Sequence, residues 1–375
     1  MPLSIATVFA DLPDPRADTA NKLHALTDIL TIALCATIGG ANGWEQIAEY
    51  GRRKEAFFRR FLTLEHGIPS HDTFYRVFAL LEPTAFAQRF GTWMAAACES
   101  TGLIPIAIDG KSARRAKRSN ATGCLHVVSA WATINHLTLG QAVVPDGTNE
   151  IGVIPELLAA LDLAGAIVTI DAAGCQTENA GLIREGKGHY LLAVKGNQPT
   201  LREAVRAVFE RADATGFEGI RFDHHTTTES SHGRYEERSV SVIYEPQGLP
   251  PDWPDVAAVV SVLRERVVNG TAAPTVHFYL TSHAATAEEI AALIRGHWEI
   301  ENGLHWILDV AFREDESRTR DINAGANLAL LRRVAVSMLK RVKAKGSIET
   351  RRLIAAWDDE FLLHVLQAIQ SDPSA

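Results

Sequence analysis

Through roughly the first hundred residues the apolar positions recur every three to four places, a spacing that predicts helices. Four segments carry it: LHALTDILTIALCATIGG, WEQIAEYGRRKEAFFRRFL, SHDTFYRVFALL and PTAFAQRFGTWMAAACES. Ser70 is placed to cap the third, and Pro83 opens the fourth at a first-turn position where proline is tolerated. At Leu103 the period changes. LIPIAID is a short apolar run ending in an acid and a glycine, and AIVTIDAAG repeats that grammar further on. Between them LHVVSAWAT and LTLGQAVVP, joined at Asn135-His136, read as a hairpin, followed by a helix over about 149–162. A helical stretch near 177–185 and the strand YLLAVKG follow. This order predicts an α/β fold, a mixed sheet with helices packed on it. From about 201 to 282 three segments alternate in the manner of antiparallel strands, with Pro246, Pro250, Pro251 and Pro254 marking loops, and the region reads as an insertion.

Residues 286–309 form the stretch on which the chemistry turns. Thr286 and Glu289 stand in capping-box spacing, and Ile290, Ile294, His297, Glu301, Leu304 and Leu308 fall on one face of the predicted helix. A histidine and a glutamate thus enter the core-facing row, while Glu299 points nearly opposite and reads as a solvated carboxylate. A carboxylate on a buried face needs a cation, a metal ion or a hydrogen-bond network. Beyond it lie a loop, a basic helix and a terminal helix over about 357–369, with Arg318, Arg320, Arg332, Arg333, Lys340 and Arg341 read as a basic surface.

Composition narrows the choices. With 375 residues, 46% of them apolar, the chain has room for two or three domains with real cores. A net charge of -8 argues against a protein that coats nucleic acid indiscriminately. Cys35, Cys98, Cys124 and Cys175 are far apart and suggest buried thiols rather than a zinc knuckle or disulfide framework. The start, with Asp11 and Asp14, does not read as a signal peptide, and the longest apolar stretch, 29–38, is too short to cross a bilayer. These features predict a cytoplasmic protein with no membrane partner.

Two aspartates, Asp109 and Asp171, sit where apolar strands end, the place where open α/β sheets put their chemistry. With Glu301 they make three carboxylates that repel unless divalent cations lie between them. Oxygen ligands suit Mg²⁺ or Mn²⁺, and two such ions meet the needs of in-line phosphodiester attack without a cysteine, serine or histidine nucleophile. Singly, each acid has a plainer reading. Asp109 and Asp171 can cap turns, and Glu301 can pair with His297 or His305 one helical turn away. Lys111, Arg114, Arg115, Lys117 and Arg118 follow Asp109 and are placed to hold phosphates, or form a solvated basic loop. Lys195, Asn197 and Gln198 end a strand and are candidates to position a DNA backbone, or make an ordinary turn. Trp298 can stack on an unpaired base, though burial is the commoner fate of tryptophan. Arg52, Arg53, Lys54, Arg59 and Arg60 make the second helix basic, so a helix-turn-helix reader and a plain helical packing unit both stand.

RGHWEIENGLHWILDVAFREDESRTR, with IAIDGKSARRA, VTIDAAGCQ and AVKGNQPTL, resembles the bacterial insertion-sequence transposases of the H-repeat-associated type, members of the group with a ribonuclease-H-like DDE core. The resemblance spans nearly the whole chain. It implies a two-metal transposase with Asp109, Asp171 and Glu301 as catalytic acids and ligands of two Mg²⁺ or Mn²⁺ ions. It also implies a β-rich insertion before the last acid, where His232-Gly233-Arg234-x-Glu236-x-Arg238 matches a recurrent element. Ile294, His297 and Leu308 stand where related transposases have Tyr, Arg and Lys around the third acid, a departure the H-repeat-associated branch tolerates. The expected domains are 1–98, helical and DNA-binding or associated; 99–200, the first part of the ribonuclease-H-like core; 201–285, the β-rich insertion; and 286–375, the catalytic helix and C-terminal helices. The expected nucleic-acid contacts are Lys111, Arg114, Arg115, Lys195, Asn197, Gln198, His297, Trp298 and His305. The expected partners are double-stranded DNA, as inverted-repeat ends and as target, and a second copy of the chain in at least a dimer. A catalytically idle DNA-binding regulator and a metal-independent hydrolase with paired carboxylates are the rival functions.

Overall fold

The first predicted helix forms as α1 (Leu26–Ile38), and it is apolar all round because nearly every residue in it is buried. The computed structural model describes residues 8–9, 12–98, 102–117, 123–231, 234–268 and 271–369. These fall into two units. One comprises Met1–Glu99, Gly110–Asn149 and Ile300–Ala375, and the other Ser100–Asp109 and Glu150–Glu299. The fold is mixed α/β, with a large mixed sheet and many helices.

In the first unit, α1 is followed by α2 (Trp44–Arg53), the short α3 (Glu55–Phe58), α4 (His71–Leu80) and α5 (Pro83–Ala95). Ser70 accepts a hydrogen bond from the Thr73 amide, and Pro83 sits in the first turn of α5 behind Glu82, so both helix starts are as expected. The helix-turn-helix reading does not survive. Residues 54–70 separate α2 from α4, against the ~3–4-residue turn of that motif. The basic side chains are also already paired: Arg52 and Arg53 with Glu49, Arg59 with Glu55, Lys54 with Asp359 and Arg60 with Glu360. The second half of β1 (Ile104–Lys117) joins β2 (Cys124–Ala132) and β3 (Leu137–Val143), with His136 at φ 55° in the hairpin turn. Gly91 of α5 lies so close to this hairpin that a Cβ there would stand 2.2 Å from the Leu139 carbonyl oxygen, which is why a glycine is required.

The unit is built round α11 (Ile322–Arg341), buried from Ala324 to Leu339. The preceding helix, α10 (Trp306–Val310), is short, and α12 (Ile348–Trp357) and α13 (Asp359–Gln367) follow, parted where Asp358 caps the latter. The expected basic surface on α11 is largely absent, because Arg332 and Arg333 are 2% and 0% exposed. Arg333 donates to Glu314 at 2.9 Å and to Ser129 at 2.9 Å, while Arg332 reaches the Asn42 carbonyl at 3.0 Å. Arg318 and Arg320 are exposed, Lys340 lies over the Trp131 ring, and Arg341 donates to the Ala368 carbonyl.

In the second unit the strands follow the order β1-β4-β5-β9-β8-β7-β6. The first half of β1, β4 (Ala166–Ile170) and β5 (His189–Val194) run parallel, and β6 (Phe222–Ser231), β7 (Arg234–Tyr244), β8 (Ala258–Val268) and β9 (Thr271–Thr281) form an antiparallel run joined to β5. The crossover helices are α6 (Ile154–Ala159) and α7 (Thr177–Glu185). The region expected to be β-rich begins instead with a long helix, α8 (Pro199–Ala214), whose buried Leu201, Val205, Val208, Phe209 and Ala212 have plain helical spacing. The capping box at Thr286 and Glu289 is formed in both directions and opens α9 (Ala287–His297). Ile290 of α9 is buried among Val240, Val242, Val260 and Val262, with Leu293 and Ile294 packed against them. No helix among the described residues is long and apolar enough to cross a membrane.

Candidate functional site

Strand register brings two of the predicted acids together. Ile108 and Ile170 are partners on the parallel neighbours β1 and β4, so Asp109 and Asp171 are the next residue on each. Neighbouring strands lie ~4.8 Å apart, and with both isoleucines buried the alternation sends both aspartates to the opposite face. Burial of the apolar strands thus fixes where the carboxylates emerge. Each is half-buried. β4 ends at Ile170, as expected, but β1 continues to Lys117, so the basic run after Asp109 is strand rather than loop.

The Asp171 carboxylate shapes its own loop, because Oδ1 accepts from the amides of Ala173 at 2.9 Å and, more weakly, Gly174 at 3.4 Å. The turn reading of this acid is therefore realised in one oxygen, which leaves its role as a ligand open through the other. Asn197 and Gln198, expected to face a DNA backbone, brace the same loop from the end of β5. Asn197 donates to the Ala172 carbonyl at 2.6 Å, and the Gln198 amide to the Cys175 carbonyl at 2.9 Å and Gln176 Oε1 at 3.1 Å. Lys195 is exposed.

His297 closes α9 with its ring against β4, Nδ1 standing 2.9 Å from Thr169 Oγ1. Burial pushes this imidazole below its usual range, with the negative charge of Asp171 pulling the other way. Thr169 was not foreseen as its partner, since an apolar strand offers no signal that one hydroxyl will meet a helix far along the chain. Trp298 corrects the expectation of burial, for it is 60% exposed.

The continuous helix expected over 286–309 is interrupted. Residues Glu301–His305 form a π-helical turn before α10. Such a turn inserts one residue and shifts the side chains that follow, and it is frequent at functional sites. Glu301 is accordingly exposed rather than core-facing, while Gly303, Leu304 and His305 are buried. His305 Nδ1 lies 3.6 Å from Glu301 Oε2, so the pairing of these two residues along the helix is real. Glu299 is exposed, as expected.

The basic residues after Asp109 divide. Lys111, only 8% exposed in its side chain, reaches Asp309 Oδ1 at 2.7 Å and Oδ2 at 2.8 Å, with Asp315 at 3.7 Å. Arg114 is exposed and lies 3.3 Å from Asp315, and Arg115 is exposed. Arg118 lies outside the described residues, as do His232 and Gly233 of the recurrent element; Glu236 of that element pairs with both Arg238 and Arg264.

Two family models match this chain. The one described as a DDE_Tnp_1-associated domain covers residues 6–94, and the one described as a transposase DDE domain covers 100–339. The H repeat-associated putative transposase YhhI of Escherichia coli K12 is 37% identical over 364 residues, spanning 95% of each chain. An uncharacterized protein in the dhlA 3' region of Xanthobacter autotrophicus is 43% identical over 280 residues, covering 74% of this chain and 94% of its own. Among solved structures, a piggyBac transposase synaptic complex with hairpin DNA aligns at a TM-score of 0.41 and 11% identity, covering 100% of this chain and 78% of its own, too slight a likeness to bear on the fold. On the family match and the relatives, the chain belongs to the insertion-sequence transposases that carry a DDE domain.

Proposed function

We propose that the chain binds the terminal inverted repeats of its own insertion sequence, nicks the DNA, and joins the freed 3′-hydroxyl to a target phosphodiester. The observation that carries this reading is the register of β1 and β4, which brings Asp109 and Asp171 out side by side at the end of the parallel strands. Glu301 is the third acid of this reading. His297, held to Thr169 of β4, precedes Glu301 by about one helical turn of ~5.4 Å, and Lys111, two residues past Asp109, is held by Asp309 farther along the same helical run. A ribonuclease-H-like core accounts for parallel β1, β4 and β5, with acids after the paired apolar runs of β1 and β4.

The donor set is made of carboxylate oxygens, which fits Mg²⁺ or Mn²⁺, with Asp109, Asp171 and Glu301 as the residues that would hold two ions. Bound there, such ions supply an activated attacking oxygen and stabilise the leaving oxygen of an in-line displacement. The remaining residues bind and orient. Exposed Lys195 and Arg115 meet phosphates, where they add affinity without sequence preference. Exposed Trp298 offers a stacking face for an unpaired base. Asn197 and Gln198 keep the loop after Asp171 in place. Joining two DNA ends calls for two copies of the chain.

An oligonucleotide carrying the inverted repeat that flanks the gene tests the reading. With Mg²⁺ the protein nicks it at the repeat end, and EDTA abolishes the cut. Binding without cleavage in either Mg²⁺ or Mn²⁺ would overturn the catalytic reading in favour of an idle DNA-binding descendant. Hydrolytic activity that persists in EDTA without DNA affinity would overturn both.

A further inference from the structure

Lys111 is too enclosed for the phosphate contact its sequence position suggests. Its side chain is 8% exposed, and both carboxylate oxygens of Asp309 lie within 2.8 Å of its ammonium group. Asp315 adds a second acid, tied in turn to the backbone amide of Arg114 at 3.2 Å and to the Arg114 guanidinium at 3.3 Å. Within this group of four the two cations and two acids balance, so Lys111 adds no net charge to attract a nucleic acid. What the group does instead follows from where its members sit. Lys111 lies two residues beyond Asp109 on the same strand, and in a strand that spacing places both side chains on one face, ~7 Å apart along the chain. Asp309 lies in α10, about two helical turns beyond Glu301.

We infer that Lys111 and Asp309 form a strut that fixes the helical run carrying Glu301 against the second half of β1, making Lys111 a positioning residue for Glu301 as a metal ligand rather than a DNA contact. The inference rests on the metal-site reading of that acid. The π-helical turn at Glu301–His305 gives the strut its purpose. A wide turn is a poorly constrained part of a helix, and Glu301 is its exposed first residue, so an anchor beyond it limits how far the carboxylate drifts. Metal ligands held loosely bind weakly, because the ordering they lack must be supplied on binding.

The test is a titration of the full chain with Mn²⁺ alone, followed by electron paramagnetic resonance, beside binding of a repeat-end duplex in EDTA at several salt concentrations. Lys111→Met is expected to weaken Mn²⁺ binding about tenfold or more, with duplex affinity and its salt slope unchanged. Lys111→Arg keeps the ion pair and restores Mn²⁺ affinity to within about threefold of wild type, and the exchange Lys111→Asp with Asp309→Lys restores part of it. Melting in EDTA separates this from unfolding, and the arginine and exchange variants decide the matter if the methionine variant does not fold. Unchanged Mn²⁺ affinity in Lys111→Met, or a duplex salt slope lower by ~1, the mark of one lost phosphate contact, would overturn the strut. A wild type that binds no Mn²⁺ would instead overturn the metal site itself, before any variant is compared.

Discussion

Glu301→Gln is expected to abolish nicking and strand transfer, while Glu299→Gln is expected to leave both within a few fold of wild type. The two acids are close in sequence and both exposed, so neither substitution disturbs the core, and melting temperatures stay near wild type. What separates them is direction. Two residues at ~100° each turn a helix by ~200°, which sends the carboxylates to opposite sides. Only Glu301 shares a side with His305, whose Nδ1 lies 3.6 Å away. Losing a ligand that places a catalytic metal forfeits several kcal/mol of transition-state stabilisation, a factor of at least ~1000 in rate. Single-turnover cleavage of a repeat-end duplex in Mg²⁺ measures it. Equal losses in the two variants would refute the assignment of Glu301 as the third acid.

Glu314→Gln is expected to be the most destabilising of simple substitutions in the first unit. The Glu314, Arg332 and Arg333 side chains are 2%, 2% and 1% exposed, with Glu314 2.9 Å from Arg333 and 3.9 Å from Arg332. Arg352 is buried beside them, donating to the carbonyls of Thr37 and Ala41 and stacking on Phe312 at 3.9 Å. Burial pulls both Arg332 and Arg352 below the usual guanidinium range, and Glu314 is the acid that opposes this for Arg332. Glutamine removes the charge and keeps the shape, leaving buried guanidinium groups without a counter-ion. Breaking such a pair costs ~3–5 kcal/mol, equivalent to a melting point lower by roughly 5 °C in a chain of 375 residues. Calorimetry measures it. A shift of a degree or two would mean that water reaches these arginines.

Local signals in the sequence were reliable where both partners lie close together. The capping box at Thr286 and Glu289, the Ser70 cap and the helix Thr177–Glu185 all depend on neighbours within a turn or two, and all are present. The adjacency of Asp109 and Asp171 was legible too, since each follows an apolar run and the two runs pair in parallel, although β1 continues past its acid to Lys117. What the sequence concealed was the fate of side chains whose partners are distant. Lys111 belongs to a basic run, and nothing local shows that Asp309, 198 residues away, takes its charge. Arg332 and Arg333 look like the outer face of a helix until packing places them beside Glu314. The exposure of Glu301 has a different origin, because a π-helical turn begins there and a projection at 3.6 residues per turn cannot foresee it. Trp298 was read as buried from the common fate of tryptophan alone, and nothing local marks it as exposed. The helix Pro199–Ala214 was hidden by the strands after it, although its own apolar spacing was regular.

Thermal melting of the wild type, Asp109→Ala and Asp171→Ala across a Mn²⁺ titration tests most directly whether these carboxylates jointly hold divalent cations. A ligand that binds only the folded state stabilises it by ~2.7 kcal/mol at a hundred times its dissociation constant, so the wild-type midpoint climbs by several degrees as Mn²⁺ is added. Both variants are expected to melt at one temperature throughout the titration. A variant that climbs as far as the wild type would show that its missing aspartate was never a ligand.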